Sequence, residues 1–141
     1  MMKYEIYIFT QQKTPSFYKD AIAEYTKRLG RYCKIKCEFI KKVKAWEKII
    51  NEYQKEEKVF VFPGKDSITS EQLSLQMSAW ESSGQGRIVF FIPDGIEFVP
   101  DKGEKSLNLS DFTMNTAMTA MVLHEQIYRG YRIMHNHPYH K

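Results

Sequence analysis

The run Val59-Phe60-Val61-Phe62 is apolar at every position and closes on Pro63-Gly64. A strand with one face in water alternates apolar and polar residues. A run without alternation is covered on both faces, as in a parallel sheet flanked by helices. Ile88-Val89-Phe90-Phe91-Ile92 repeats the pattern and is stopped by the turn Pro93-Asp94-Gly95. Between the two, Ser70 is placed to cap a helix carrying Leu73, Met77 and Trp80, which ends at Gly84-Gln85-Gly86. Strand, helix and strand in this order predict the α/β class, with a mainly parallel sheet flanked by helices.

The alternation of elements continues outwards. Lys3 to Phe9 is aromatic and β-branched enough for a first strand. Thr14 as N-cap and Pro15 at the first helical position open a helix in which Phe17, Ala21, Tyr25 and Leu29 share a face, and Gly30 supplies the stop. Cys33, Ile35, Cys37 and Phe39 then alternate with charged residues as a strand with one apolar face. Cysteines two apart on a strand suit neither a disulfide nor a redox pair, so they are read as buried thiols. Trp46, Ile49, Ile50 and Tyr53 mark a short second helix. Ile96 to Leu107 reads as irregular, and Asn115 is placed to cap a long final helix to about Met134. With no repeat, low-complexity segment or linker, residues 1–141 are expected to form a single domain.

Bulk composition narrows the function. Hydrophobic residues make up 43% and charged residues 27%, as in an ordinary globular domain. No apolar run approaches the roughly twenty residues needed to cross a bilayer, and the N-terminus lacks the apolar core of a signal peptide. A cytoplasmic protein without a membrane partner is expected. The net charge of +4 is a mild basic lean, compatible with an RNA or phosphate partner bound in a salt-dependent way.

The final helix and the tail behind it carry the chemistry. Met118, Met121, Val122, Leu123, Ile127, Tyr128, Tyr131, Ile133 and Met134 occupy more than one helical stripe, so one side is expected to cover the sheet and another to meet a second subunit. All four histidines (His124, His135, His137 and His140) fall in the last eighteen residues. Imidazole is the side chain best placed to move protons near neutral pH. Arg129 and Arg132 precede the tail and are suited to hold a phosphate or an anionic transition state. No metal is expected, since the cysteines stand far from the histidines in sequence.

Ligands of parallel α/β sheets bind at the carboxyl ends of the strands. The sequence marks two such ends, at Pro63-Gly64-Lys65 and at Pro93-Asp94-Gly95, and a third loop from Leu109 to Met114 precedes the last helix. None matches a Walker loop or a dinucleotide fingerprint, which argues against ATP and NAD. Together the three loops are read as a pocket for a flat, adenine-bearing ligand held mostly by backbone groups.

Glu125-Gln126-Ile127-Tyr128-Arg129-Gly130-Tyr131-Arg132-Ile133, followed by Asn136-His137-Pro138-Tyr139-His140-Lys141, resembles the C-terminal signature of the RlmH-type ribosomal RNA methyltransferases of the SPOUT superfamily. Glu24-Tyr25-Thr26-Lys27-Arg28-Leu29 resembles that family's first helix, and Pro63-Gly64-Lys65 with Ser70-Glu71 its central loop and next helix. The resemblance implies a single SPOUT domain with a C-terminal trefoil knot, a homodimer, and S-adenosylmethionine as cofactor. The implied reaction is methylation of N3 of a pseudouridine in 23S ribosomal RNA of the assembled ribosome. Carried over by residue, cofactor contacts fall on Phe60, on Pro93, Asp94 and Gly95, and on Leu109, Ser110, Asp111, Phe112, Thr113 and Met114. His137, Tyr139, His140 and Arg129 face the RNA as catalytic residues.

The chain departs from the family in the cofactor half. Ile92-Pro93-Asp94-Gly95-Ile96-Glu97 stands where relatives carry a glycine-rich turn, Asn115-Thr116 replaces a Pro-His, and Val61 and Phe60 replace an Asp and the Leu before it. Proline removes a backbone donor, and Glu97 adds a carboxylate where glycine permits close approach. The alternative reading is therefore a catalytically silent SPOUT-like dimer that binds RNA or ribosomes.

Overall fold

The computed structural model describes residues 1–53, 57–62, 67–95 and 105–136. Strands Lys3–Phe9 (β1), Lys34–Ile40 (β2), Glu57–Phe62 (β3), Arg87–Ile92 (β4) and Lys105–Asn108 (β5) form one sheet in the order β2-β1-β4-β3-β5. Every pairing in it is parallel. Helices Ser16–Leu29 (α1), Val43–Glu52 (α2), Ser70–Ser82 (α3) and Thr116–Met134 (α4) connect and cover it. No helix among the described residues is long and apolar enough to cross a membrane.

The unbroken apolar runs have the cause expected of them. Val59, Val61, Ile88, Phe90 and Ile92 join Ile6 and Ile8 in a core built with α1, α3 and α4. The alternate residues Phe60, Val89 and Phe91 join Tyr7, Phe9 and Trp46 of α2 on the opposite face. Trp46 meets Phe91 edge-on, with ring centroids 5.5 Å apart. Each such ring or branched side chain taken from water contributes about 1.5–3 kcal/mol.

Local details differ from the sequence expectations for identifiable reasons. The buried stripe of α1 is Tyr18, Ile22 and Leu29, whereas Phe17 is 62% exposed. Both stripes have helical spacing, so periodicity alone does not separate them. Thr14 does not cap α1; Pro15 holds the N-cap position without a side-chain hydrogen bond. Thr69, not Ser70, caps α3, in a capping box where Gln72 N–H donates to Thr69 Oγ1 and Thr69 N–H donates to Gln72 Oε1. Ser70, one residue into the helix, instead donates to Gln126 Oε1 of α4 at 2.6 Å. Part of the stretch expected to be irregular is β5, whose four residues pair with Val59–Phe62.

The cysteines are free thiols, Cys33 buried and Cys37 half-buried. Burial pushes both up to about 12, so neither is a thiolate near neutral pH. The resemblance places the trefoil knot in the C-terminal part of the chain, of which residues 96–104 and 137–141 lie outside the described residues.

Candidate functional site

Four segments converge at the carboxyl end of the sheet around a cavity of about 530 Å³. One wall is the loop after β1 with the start of α1, from Thr10 to Tyr18; the other is Pro93-Asp94-Gly95 after β4. Val61 and Ile92 form an apolar floor, and Thr113 to Thr119 bring in the end of the 109–115 loop and the first turn of α4. The volume suits a small organic ligand.

Polar contacts fix the walls. Thr10, 6% exposed, donates from Oγ1 to Asp94 Oδ2 at 3.3 Å and accepts from the Gln12 N–H at 3.2 Å. Asn115 caps α4, its Oδ1 accepting the Met118 N–H at 2.8 Å, while its amide donates to the Tyr18 hydroxyl at 3.2 Å. One residue thus starts the helix and fastens it to α1. The N-terminus of α4 opens on the cavity, where the positive end of the helix dipole favours an anionic ligand group. Gly95 has φ +72°, a conformation glycine adopts without strain and which lets the chain turn sharply after Asp94. Asp94 and Lys13 add opposite formal charges to the lining.

Of the ten cofactor positions named from the sequence, Pro93, Asp94, Gly95, Thr113 and Met114 line this cavity. The Phe60 side chain points to the other face of the sheet, wholly buried against Phe91 with centroids 5.2 Å apart, and its neighbour Val61 reaches the cavity. Leu109 packs on the main core. Ser110 Oγ accepts the Phe112 N–H at 3.0 Å, and Asp111 Oδ1 accepts the Ser67 N–H at 3.3 Å, so these two shape the loop. Phe112 is 84% exposed.

Arg129 lies in a buried-edge network on α4. Its Nη2 and Nε approach Glu125 Oε1 at 2.8 and 2.9 Å, Gln126 donates to Glu125 Oε2 at 2.7 Å, and Ser70 donates to Gln126. The guanidinium is thereby held in one orientation from the start of α3. Arg132 donates to the Tyr32 hydroxyl at 3.4 Å and stacks on Tyr128. His135 ends the helix beside Tyr32, whereas His137, Tyr139 and His140 lie outside the described residues. His124 is wholly buried, its Nδ1 2.7 Å from the Ala120 carbonyl, and burial pushes its imidazole down to about 4. That histidine is structural. Among the described residues no group of three or more His, Cys, Asp or Glu side chains is placed to hold a metal ion.

The sequence reading did not single out Thr10, Lys13, Tyr18 or Asn115 for the pocket; all four line the candidate cavity. Thr10 had a usable signal: it follows β1 directly, and strand carboxyl ends are where such sheets bind ligands.

Comparison with known proteins covers nearly the whole chain. The family profile described as "Predicted SPOUT methyltransferase" matches residues 2–140. A ribosomal RNA large subunit methyltransferase H 1 of Thermoanaerobacter sp. (strain X514) is 35% identical over 140 residues, covering 99% of this chain and 100% of that protein. Proteins named ribosomal RNA large subunit methyltransferase H from Syntrophomonas wolfei subsp. wolfei and Exiguobacterium sibiricum are 34% and 32% identical. Those matches cover 99% and 97% of this chain, and 100% and 99% of the two relatives. A five-stranded parallel sheet with its cavity at the strands' carboxyl ends agrees with that likeness. The chain therefore belongs to the SPOUT methyltransferase family, whose reaction requires a methyl donor.

Proposed function

We propose that this protein is an S-adenosylmethionine-dependent methyltransferase that methylates N3 of a pseudouridine in 23S ribosomal RNA of the assembled ribosome. The observation that carries the reading is the cavity built by Pro93-Asp94-Gly95 and Thr113-Met114 in a chain whose full-length relatives are named for methylating large-subunit ribosomal RNA. Of the altered turn after β4, Ile92, Pro93, Asp94 and Gly95 contribute to the lining of this cavity. The residues present suit the donor. Asp94 offers a carboxylate to an ammonium, Lys13 and the N-terminus of α4 offer positive ends to a carboxylate, and Val61 and Ile92 offer apolar surface.

S-adenosylmethionine supplies an electrophilic methyl group. The protein's part is to hold the acceptor nitrogen in line and to take the N3 proton as the new bond forms. His140 or His137 is assigned the proton, Tyr139 the orientation of the base, and Arg129 the charge that develops on the neighbouring carbonyl oxygens. Glu125, Gln126 and Ser70 act on Arg129 by positioning it.

The protein is read as a homodimer working in the cytoplasm, where its ribosome substrate would be met. Met118, Val122, Arg129 and Ile133 follow one another by four, seven and four residues, a single stripe of α4. Met118, Val122 and Ile133 are half-buried and belong to neither core cluster. A second subunit laid on that stripe would bring its boundary to Arg129.

The reading is tested by titrating the protein calorimetrically with S-adenosylmethionine and following methyl transfer to ribosomes that lack the modification. Micromolar binding with transfer to one 23S pseudouridine is the expected result. Binding without transfer would leave the silent dimer as the answer.

A further inference from the structure

The described charges are not spread evenly. At the amino ends of the strands, Lys3 pairs in register with Lys34 on one side and Arg87 on the other. One step further along, Glu5 is flanked by Lys36 and Val89, and Val89 by Lys58. All point to the face on which Tyr7, Phe60 and Phe91 lie, since residues two apart on a strand share a face. Helix α2 covers the other end of that face, where Trp46 packs on Phe9. The exposed lysines Lys41 and Lys42 just before it, and Lys44 and Lys48 on it, continue the basic surface.

Among the described residues the carboxylates on this side are Glu5, Glu38, Glu47 and Glu52, against nine cations. Glu5, 4% exposed, receives hydrogen bonds from Tyr7 and Tyr53 at 3.1 Å each and lies 3.2 Å from Arg87 Nε and 4.0 Å from Lys36 Nζ, which is also 3.8 Å from Glu38 Oε2; with these pairs counted the side keeps five positive charges in excess. Elsewhere among the described residues, carboxylates are as numerous as lysines and arginines together. Among the described residues the basic excess is thus concentrated on the side away from α1, α3 and α4.

We propose that this face, centred on Lys3, Lys34, Lys36, Lys58 and Arg87, is a second contact for the phosphate backbone of a structured RNA. It lies at the opposite end of the strands from the cavity, about 20 Å away for seven-residue strands. Lys34 and Lys36 are exposed, and strands about 4.8 Å apart set Lys34, Lys3 and Arg87 in a row. Such a row carries no donor–acceptor pattern for reading bases, so it binds without sequence preference and anchors the acceptor nucleotide's neighbourhood. Among the described residues the exposed large apolar side chains beside it are Met1 and Val43, isolated rather than the continuous apolar face of a membrane-binding surface. This inference rests on the ribosomal RNA reading above.

The test uses the full chain carrying Lys34→Gln and Lys36→Gln. Its binding to purified large ribosomal subunits is measured by co-sedimentation across a potassium chloride series, beside S-adenosylmethionine affinity and methyl transfer. Binding about tenfold weaker, with the slope of log K against log salt reduced by about 2 and cofactor affinity unchanged, is expected. A control pair on the charge-balanced side, Lys19→Gln with Lys27→Gln, should leave the slope unaltered. Equal binding and equal slope in the first variant would overturn the inference, as would loss in both pairs alike. Wild-type protein that binds subunits but transfers no methyl group would instead overturn the proposed reaction.

Discussion

Thr10 and Asp94 meet across the top of the sheet: the hydroxyl at the end of β1 donates to the carboxylate in the turn after β4, at 3.3 Å. That bond joins the two walls of the cavity. Thr10→Val keeps the shape and removes the donor, leaving Asp94 without this partner. The variant should weaken S-adenosylmethionine binding about five- to tenfold, for a loss of about 1 kcal/mol, and calorimetry reads it directly. Unchanged affinity would remove Thr10 from the site.

The tail and the Arg129 network should separate in kinetics. His140→Ala is expected to abolish transfer to ribosomes while S-adenosylmethionine still binds. Glu125→Gln weakens the ion pair that orients Arg129 and should lower kcat about tenfold with little change in KM for the donor. Single-turnover assays with saturating ribosomes distinguish the two. Full activity of His140→Ala would remove that residue as the base.

His124 sets a pH dependence of stability. Its imidazole, wholly buried, is pushed from 6.5 down to about 4, so the folded protein holds it neutral while the unfolded chain takes up a proton below about pH 6.5. Its contribution is complete above that pH and is lost as pH falls towards 4. Between pH 7 and pH 5 the loss is about 2 kcal/mol, on 1.36 kcal/mol per pKa unit. Urea unfolding at both values checks it, and His124→Leu should flatten this part of the dependence.

Gly130 brings α4 close to α3. A Cβ on Gly130 would stand 2.5 Å from Met77 Sδ, and Met77 is itself wholly buried. Alanine favours a helix by about 1 kcal/mol over glycine, yet overpacking costs about 1–3 kcal/mol, so Gly130→Ala should destabilise by roughly 1 kcal/mol. Thermal unfolding measures this, and a gain in stability would mean that Met77 swings aside at no cost.

The parts of the fold legible in the sequence were those fixed by burial on both faces. Val59–Phe62 and Ile88–Ile92 have no alternation because α3 and α4 lie on one side of them and α2 on the other. Asn115 was legible as a cap because its short side chain has few other uses at that point of the pattern. β5 was not: Lys105-Ser106-Leu107-Asn108 has neither periodicity nor propensity, and becomes a strand only by pairing with β3. Thr69 and Ser70 are both good caps, and only the reach of Ser70 to Gln126 separates them. Of the candidate cavity, the lining at Pro93-Asp94-Gly95 was legible because one strand end makes it, and the second wall was not, because it arrives from Thr10, far away in the chain.

The placement of β1 between β2 and β4 has a consequence for how the protein comes into being. Lys3–Ile8 cannot find Arg87–Ile92 until most of the chain exists, because a parallel pairing so distant in sequence closes a large loop before any contact rewards it. The walls that Thr10 and Asp94 join are therefore assembled by one of the least local events in folding. A nascent chain released before β4 has no cavity to fill. In the finished molecule, a ligand seated there is linked to unfolding of the whole sheet rather than of one loop, and should slow amide exchange in β1 and β4 together.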